Sequence, residues 1–213
     1  RKEYIKTCDP TVSYGCGYSD LDEGLGALVL SEVFAKNNIE TERVLCILEF
    51  PGNLAITVRA AKNLIRPSHL FGYVKQGDYD QLKKMVDYFI WRQEQNVSSV
   101  KKPSFISVQK KYQQFLANQV EVFAKMAAIL EDEYIFCWLD WDGDNILMNG
   151  GIIDYGSVRQ FGLFHHEYRY DDVDRYSTTI VEQKAKAKYI VQTFIQITDF
   201  LLSKKKKPIS EYA

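Results

Sequence analysis

The run Trp138-Leu-Asp140-Trp-Asp142-Gly-Asp144-Asn145-Ile-Leu-Met-Asn-Gly-Gly-Ile-Ile-Asp154-Tyr-Gly156 crowds four polar side chains into six positions and then turns apolar. Two short β-like pieces, residues 146–148 and 152–153, flank Asn149-Gly150-Gly151. Asn-Gly between apolar pieces is a strong hairpin-turn signal. Such a hairpin returns Asp154 to the end of the ribbon where Asn145 enters it, and Gly156 lets the chain leave sharply. An asparagine carbonyl and a carboxylate are hard oxygen ligands, suited to Mg²⁺ or Mn²⁺, which complete their shell with water and substrate phosphates. A further carboxylate close by, Asp144 or Asp140, could orient a hydroxyl and take its proton. Phosphoryl-type transfer asks little more of a protein than these parts and some basic side chains. Asp140-Trp-Asp142-Gly-Asp144 also begins like a calcium loop. That pattern needs glycine sixth and glutamate twelfth, and the chain has Asn145 and Gly151 there. A plain acidic turn is the remaining structural reading.

Outward from this stretch the chain reads as α+β. Residues 24–37 show helical spacing, with Leu25, Leu28, Val29, Val33 and Phe34 on the apolar face. Residues 43–50 and 54–59 read as strands joined by the turn Pro51-Gly52-Asn53. Helices are expected over 78–94, with Leu82, Met85, Val86, Phe89 and Ile90 inward, and over 107–130. In the second of these, Tyr112, Phe115, Leu116, Phe123, Met126, Ala127 and Leu130 form the buried stripe. The polar residues 93–102 before Pro103 read as a surface loop. A last helix spans 177–202. Lys204 to Lys207 then read as a solvated helix end favoured by the helix dipole, and Pro208 as the end of regular structure.

Composition narrows the classes. The chain has 213 residues, 46% of them hydrophobic and 14% aromatic, enough for one domain or two small lobes. Its 27 basic and 28 acidic residues leave a net charge of -1, which argues against bulk binding to nucleic acid or an acidic membrane. No apolar run reaches the roughly 18 residues that a membrane-spanning helix needs. Cys8, Cys16, Cys46 and Cys137 contain no C-x-x-C pair. Cys46 and Cys137, inside apolar runs, read as buried free thiols, and a reducing, cytoplasmic compartment is expected.

Asp140 with Asn145, followed by Asp154-Tyr155-Gly156, is similar to the D-x-x-x-x-N and D-F-G elements of protein kinases. Asp144-Asn145 with a short hairpin and Ile153-Asp154-Tyr155-Gly156 more closely resembles the selenoprotein-O family, kinase-fold enzymes that transfer AMP from ATP to protein hydroxyls. Phe136-Cys137 and Gly150 fall on that family's spacing. Pro67-Ser68-His69-Leu70-Phe71-Gly72 resembles its P-S-H-I-R-F-G segment, and Leu30-Ser31-Glu32 the segment with its helix glutamate. The resemblance covers roughly residues 6–176.

It implies a protein-kinase-like, two-lobed α+β fold. A small sheet-plus-helix lobe would span residues 1–72, and a mainly helical lobe residues 73–213, with the catalytic and metal loop at 138–156. It implies Asp144 as the base and Asn145 and Asp154 as ligands of Mg²⁺ or Mn²⁺. Glu32 would pair with Lys6, which would hold nucleotide phosphates, and Arg59 and Arg66 would contact the nucleotide. ATP and proteins with hydroxyl side chains are the implied partners. Trp138-Leu139 stand where the family has histidine-glycine, and Asp140 is an additional carboxylate that competes for the role of base. The family's glycine-rich phosphate loop and its redox cysteine or selenocysteine have no counterpart in these 213 residues, as expected for a fragment or a reduced form.

Two other functions fit the same residues. One is an ordinary kinase or small-molecule phosphotransferase with Asp140 as base. The other is a nucleotide-binding domain without catalysis. For single residues the structural readings are a solvated glutamate at Glu32, an exposed lysine at Lys6, a strand-end arginine at Arg59 and a polar contact at His69.

Overall fold

A computed structural model of the chain describes residues 19–96, 107–137, 143–156, 158–160, 167–168 and 178–213. The fold is α+β, with a small three-stranded antiparallel sheet and mostly helical content. It divides into two compact units, Arg1–Ala61 and Lys62–Ala213. Among the described residues no helix is long and apolar enough to cross a membrane.

In the first unit the order is β1 (Ser19–Asp20), α1 (Leu21–Lys36), β2 (Arg43–Phe50) and β3 (Leu54–Ala60). The sheet order is β1-β3-β2. Ile47 pairs with Thr57 and Phe50 with Leu54 across the turn at Pro51-Gly52-Asn53. Helix α1 starts at Leu21, three residues before the expected start, and Asp22 and Glu23 in its first turn complement the helix dipole.

The face that α1 buries differs from the one expected. Gly24, Ala27, Ser31 and Phe34 are buried, whereas Leu25, Val29 and Val33 are 45%, 59% and 46% exposed. Closeness decides this. A Cβ on Gly24 would stand 2.8 Å from Thr57 Oγ1, so only a ridge of small residues lets the helix lie this near the strands. Cys46 is likewise exposed rather than buried. Ile47 and Thr57 lie under Gly24, so alternation turns Cys46 and its partner Val58 to the opposite face.

The second unit contains α2 (Ser68–Gln76), α3 (Tyr79–Asn96), α4 (Val108–Asp132), β4 (Ile135–Phe136) and β5 (Arg159–Gln160). β6 (Glu167–Tyr168), β7 (Thr178–Thr179), α5 (Ile180–Ser203) and a short 3₁₀ turn (Ile209–Tyr212) follow. β4 pairs with β5 and β6 with β7, both antiparallel. Residues 62–72 belong to this unit. Regular structure continues past Pro208 into the 3₁₀ turn, held by Tyr212 Oη donating to Asp199 at 2.6 Å. Helix α3 runs through Asn96, and residues 97–106 of the expected surface loop lie outside the described residues.

Ser107 caps α4 by accepting from the Lys110 N–H at 3.2 Å. The α4 stripe buries Tyr112, Phe115, Phe123, Met126 and Leu130 as expected, with Gln119 in the gap between Phe115 and Phe123. The ring of Phe194 on α5 is fully buried. It meets Phe71 at 5.4 Å, Phe123 at 5.4 Å and Phe115 at 6.0 Å between centroids, so one side chain joins α2, α4 and α5. On the rim of this core Asp87 accepts from Lys111 at 2.6 Å, Lys83 at 2.7 Å and the Tyr112 hydroxyl at 3.0 Å, tying α3 to α4.

Candidate functional site

The hairpin read from Asn149-Gly150 is present. Ile146 bridges Ile152 in antiparallel fashion, and the Leu147 N–H donates to the Gly151 carbonyl at 2.7 Å. A β-turn closes it, with the Gly150 N–H donating to the Leu147 carbonyl at 2.9 Å. Gly150 has φ +79°, and a Cβ there would stand 3.1 Å from Val122 Cγ1 on α4. Both the left-handed backbone and the close approach require glycine. The Met148 N–H donates to the Ile65 carbonyl at 2.9 Å, which fastens the ribbon to the segment before α2.

Ile146, Leu147, Met148, Ile152 and Ile153 are all buried. Asp144 and Asp154, at the open end of the ribbon, are exposed. The Ile153 N–H donates to the Asn145 carbonyl at 3.3 Å, so Asn145 stands opposite Ile153. The hairpin therefore brings Asp144, Asn145 and Asp154 to one end.

Asp144 is held from outside the ribbon. Its Oδ1 accepts from Arg66 Nη1 at 3.1 Å and from the Ser68 hydroxyl at 3.1 Å. Backbone contact fixes the two segments together, with the Ser68 N–H donating to the Gly143 carbonyl at 3.2 Å. Gly143 has φ +68°, and a Cβ there would fall 2.5 Å from Pro67 Cβ, so glycine at this position lets residues 66–68 reach Asp144. Pro67 is the N-cap of α2 and Ser68 its first residue, so the Ser68 side chain projects from a helix start. His69 Nδ1 accepts the Arg66 N–H at 3.3 Å, the polar structural contact expected of it. Burial lowers the His69 pKa below the usual 6.5; the Arg66 charge lowers it further and Asp144 pulls the other way.

Asp154 Oδ1 accepts the Gly156 N–H at 3.1 Å, which orients the carboxylate at the ribbon's end. The exposed carboxylates of Asp144 and Asp154 and the Asn145 amide are hard oxygen donors of the kind a divalent Mg²⁺ or Mn²⁺ takes, so the residues present fit such an ion. Among the described residues no three His, Cys, Asp or Glu side chains converge as a metal cage. An ion at this end would draw on few protein ligands, with water and phosphate oxygens completing its shell.

The chain enters this stretch from β4 under tight control. Gln183 on α5 accepts the Cys137 N–H at 2.9 Å and donates to the Ile135 carbonyl at 3.0 Å. Cys137 is buried as expected, and burial pushes its thiol up to about 12. Asp140, Trp138 and Trp141 lie outside the described residues, as do Lys6 and His165-His166.

In the first unit, Glu32 accepts from Arg43 Nη2 at 2.6 Å and Nε at 3.0 Å, so its described partner is an arginine on β2. Arg59 donates to the buried Glu42 at 3.0 Å. Ser68 is the site contact that the sequence did not single out on its own. The sequence carried it only within Pro67-Ser68-His69-Leu70, the segment of the family resemblance. No protein-family model, curated protein or solved structure matches the chain.

Proposed function

We propose that the chain is a metal-dependent adenylyltransferase with a protein-kinase-like, two-lobed fold that moves AMP from ATP to Ser, Thr or Tyr hydroxyls of proteins. The observation that carries this reading is the open end of the hairpin, where Asp144 and Asp154 emerge exposed from a ribbon whose apolar side chains are buried. Asp144 takes the proton of the attacking hydroxyl. Arg66 pairs with Asp144 and would steady phosphate charge in the reaction. Asn145 and Asp154 are the residues that would hold Mg²⁺ or Mn²⁺, which when bound neutralises phosphate charge. A cytoplasmic location, with Cys137 kept as a free thiol, belongs to the same proposal.

The test uses ATP labelled at the α or the γ phosphate, with Mg²⁺ or Mn²⁺ and hydroxyl-bearing peptides. Transfer of the α label is expected, falling by a factor of about 10² to 10⁴ in Asp144→Asn, the range for loss of a general base. Asp154→Ala is expected to remove the metal dependence of ATP binding. Transfer of the γ label alone would make the chain a phosphotransferase. Metal-dependent ATP binding with no transfer would make it a nucleotide-binding domain without catalysis.

A further inference from the structure

The Ser68 hydroxyl donates to the carboxylate that the proposed function assigns as base, at 3.1 Å. That is the separation at which a base accepts the proton of an attacking hydroxyl. A protein hydroxyl of this chain therefore stands where an acceptor hydroxyl is required. Two further features favour the modified product. The Arg66 guanidinium binds the same carboxylate oxygen, so it lies beside Ser68 and would pair with a phosphodiester formed there. Ser68 is also the first residue of the nine-residue helix α2, where the helix dipole stabilises an anion. The Ser68 N–H itself is taken by the Gly143 carbonyl, which fixes the backbone and aims the side chain at Asp144.

We infer that Ser68 is an intramolecular acceptor, so that the chain adenylylates its own α2 start. In this step Ser68 Oγ forms a bond to the α-phosphorus of ATP. The bond from that phosphorus to the oxygen bridging to the β-phosphate breaks, with its electron pair leaving on pyrophosphate. The hydroxyl proton passes to Asp144. The product carries an anionic phosphodiester against Arg66 and blocks Asp144 from other hydroxyls, so modification turns the site off. The inference rests on the proposed AMP transfer, and the experiment separates the two.

The whole chain is incubated with α-labelled ATP and Mn²⁺ or Mg²⁺, with and without added peptides bearing Ser, Thr and Tyr, and digested for site mapping by mass spectrometry. One adenylyl group on Ser68 is expected, forming at a rate per molecule that does not change on dilution. It is expected to be lost in Ser68→Ala and kept in Ser68→Thr, which retains the hydroxyl. Labelled peptides together with an unlabelled Ser68 would overturn the self-modification and leave the AMP-transfer reading standing. Labelling of Ser68 that slows in proportion to dilution would also overturn it, because the transfer would then run between molecules. No label on the chain or on the peptides would overturn both.

Discussion

One oxygen of Asp144 accepts from both a guanidinium and a hydroxyl, and the histidine one residue beyond that hydroxyl feels the same pair of charges. This makes His69 a reporter of the site. Burial disfavours the imidazolium, the Arg66 charge disfavours it further, and the Asp144 carboxylate opposes both. The imidazole of His69 is therefore expected to titrate below 6.5 in an NMR pH series, and the same order of causes predicts what the variants do. Asp144→Asn removes the one contribution that favours the charged ring, so the midpoint moves further down. Arg66→Gln removes a charge that opposes it, so the midpoint moves up. A midpoint at or above 6.5 in the unaltered chain, or one insensitive to both substitutions, would mean that His69 and Asp144 do not share an environment.

At the scale of elements, α3 and α4 are joined by a charged node whose pH behaviour follows from its geometry. Burial alone would raise the Asp87 pKa. Hydrogen bonds from Lys111, Lys83 and Tyr112 outweigh it, and the carboxyl sits below its ordinary 3.8. A carboxylate lowered in the folded state adds stability above its unfolded pKa and loses it as pH falls through the lower folded value. The α3–α4 contact should therefore weaken in acid below about pH 4. Asp87→Asn should cost about 1–2 kcal/mol at neutral pH, since it removes the charge but keeps the shape. Urea unfolding at pH 7 and pH 3 measures both effects. The difference between the two chains should shrink at the lower pH, and an equal difference at both values would exclude the node as its source.

What the sequence revealed at this scale depended on how local the cause was. The hairpin at residues 146–152 was legible because Asn149-Gly150 encodes a turn within four residues, and α4 because its apolar stripe repeats from Tyr112 to Leu130. The buried face of α1 was not legible. Hydrophobicity favoured Leu25, Val29 and Val33, whereas the approach to Thr57 and Ile47 required Gly24, and no counting of apolar residues contains that distance. The contact between Ser68 and Asp144 spans 76 positions and depends on Gly143 admitting Pro67, so it exists only once the chain is folded. The family resemblance named Arg66 and Asp144 separately, and the fold joins them in one ion pair at 3.1 Å.

For the molecule as a whole, the weight of the core lies in the unit Lys62–Ala213, and Phe194 is the point where it concentrates. Its ring is fully buried, stacks on Phe123 with planes 21° apart, and meets Phe71 and Phe115 edge-on. Its neighbours come from α2 and α4, both far from Phe194 in sequence, so no single helix can close over a void left by its removal. Phe71 belongs to α2, the helix that begins at Ser68, so the same core that stabilises the unit also holds the segment touching Asp144. Phe194→Ala is expected to cost about 3–5 kcal/mol, the range for a buried aromatic lost from a core that cannot collapse. Val181→Ala, at a position 76% exposed on the same helix, should change stability by no more than about 0.5 kcal/mol. Urea midpoints followed by circular dichroism give both numbers. If Phe194→Ala unfolded no more easily than Val181→Ala, the aromatic junction would not be what holds α2, α4 and α5 together, and the support of Asp144 would have to come from the backbone contacts of Gly143 and Met148 alone.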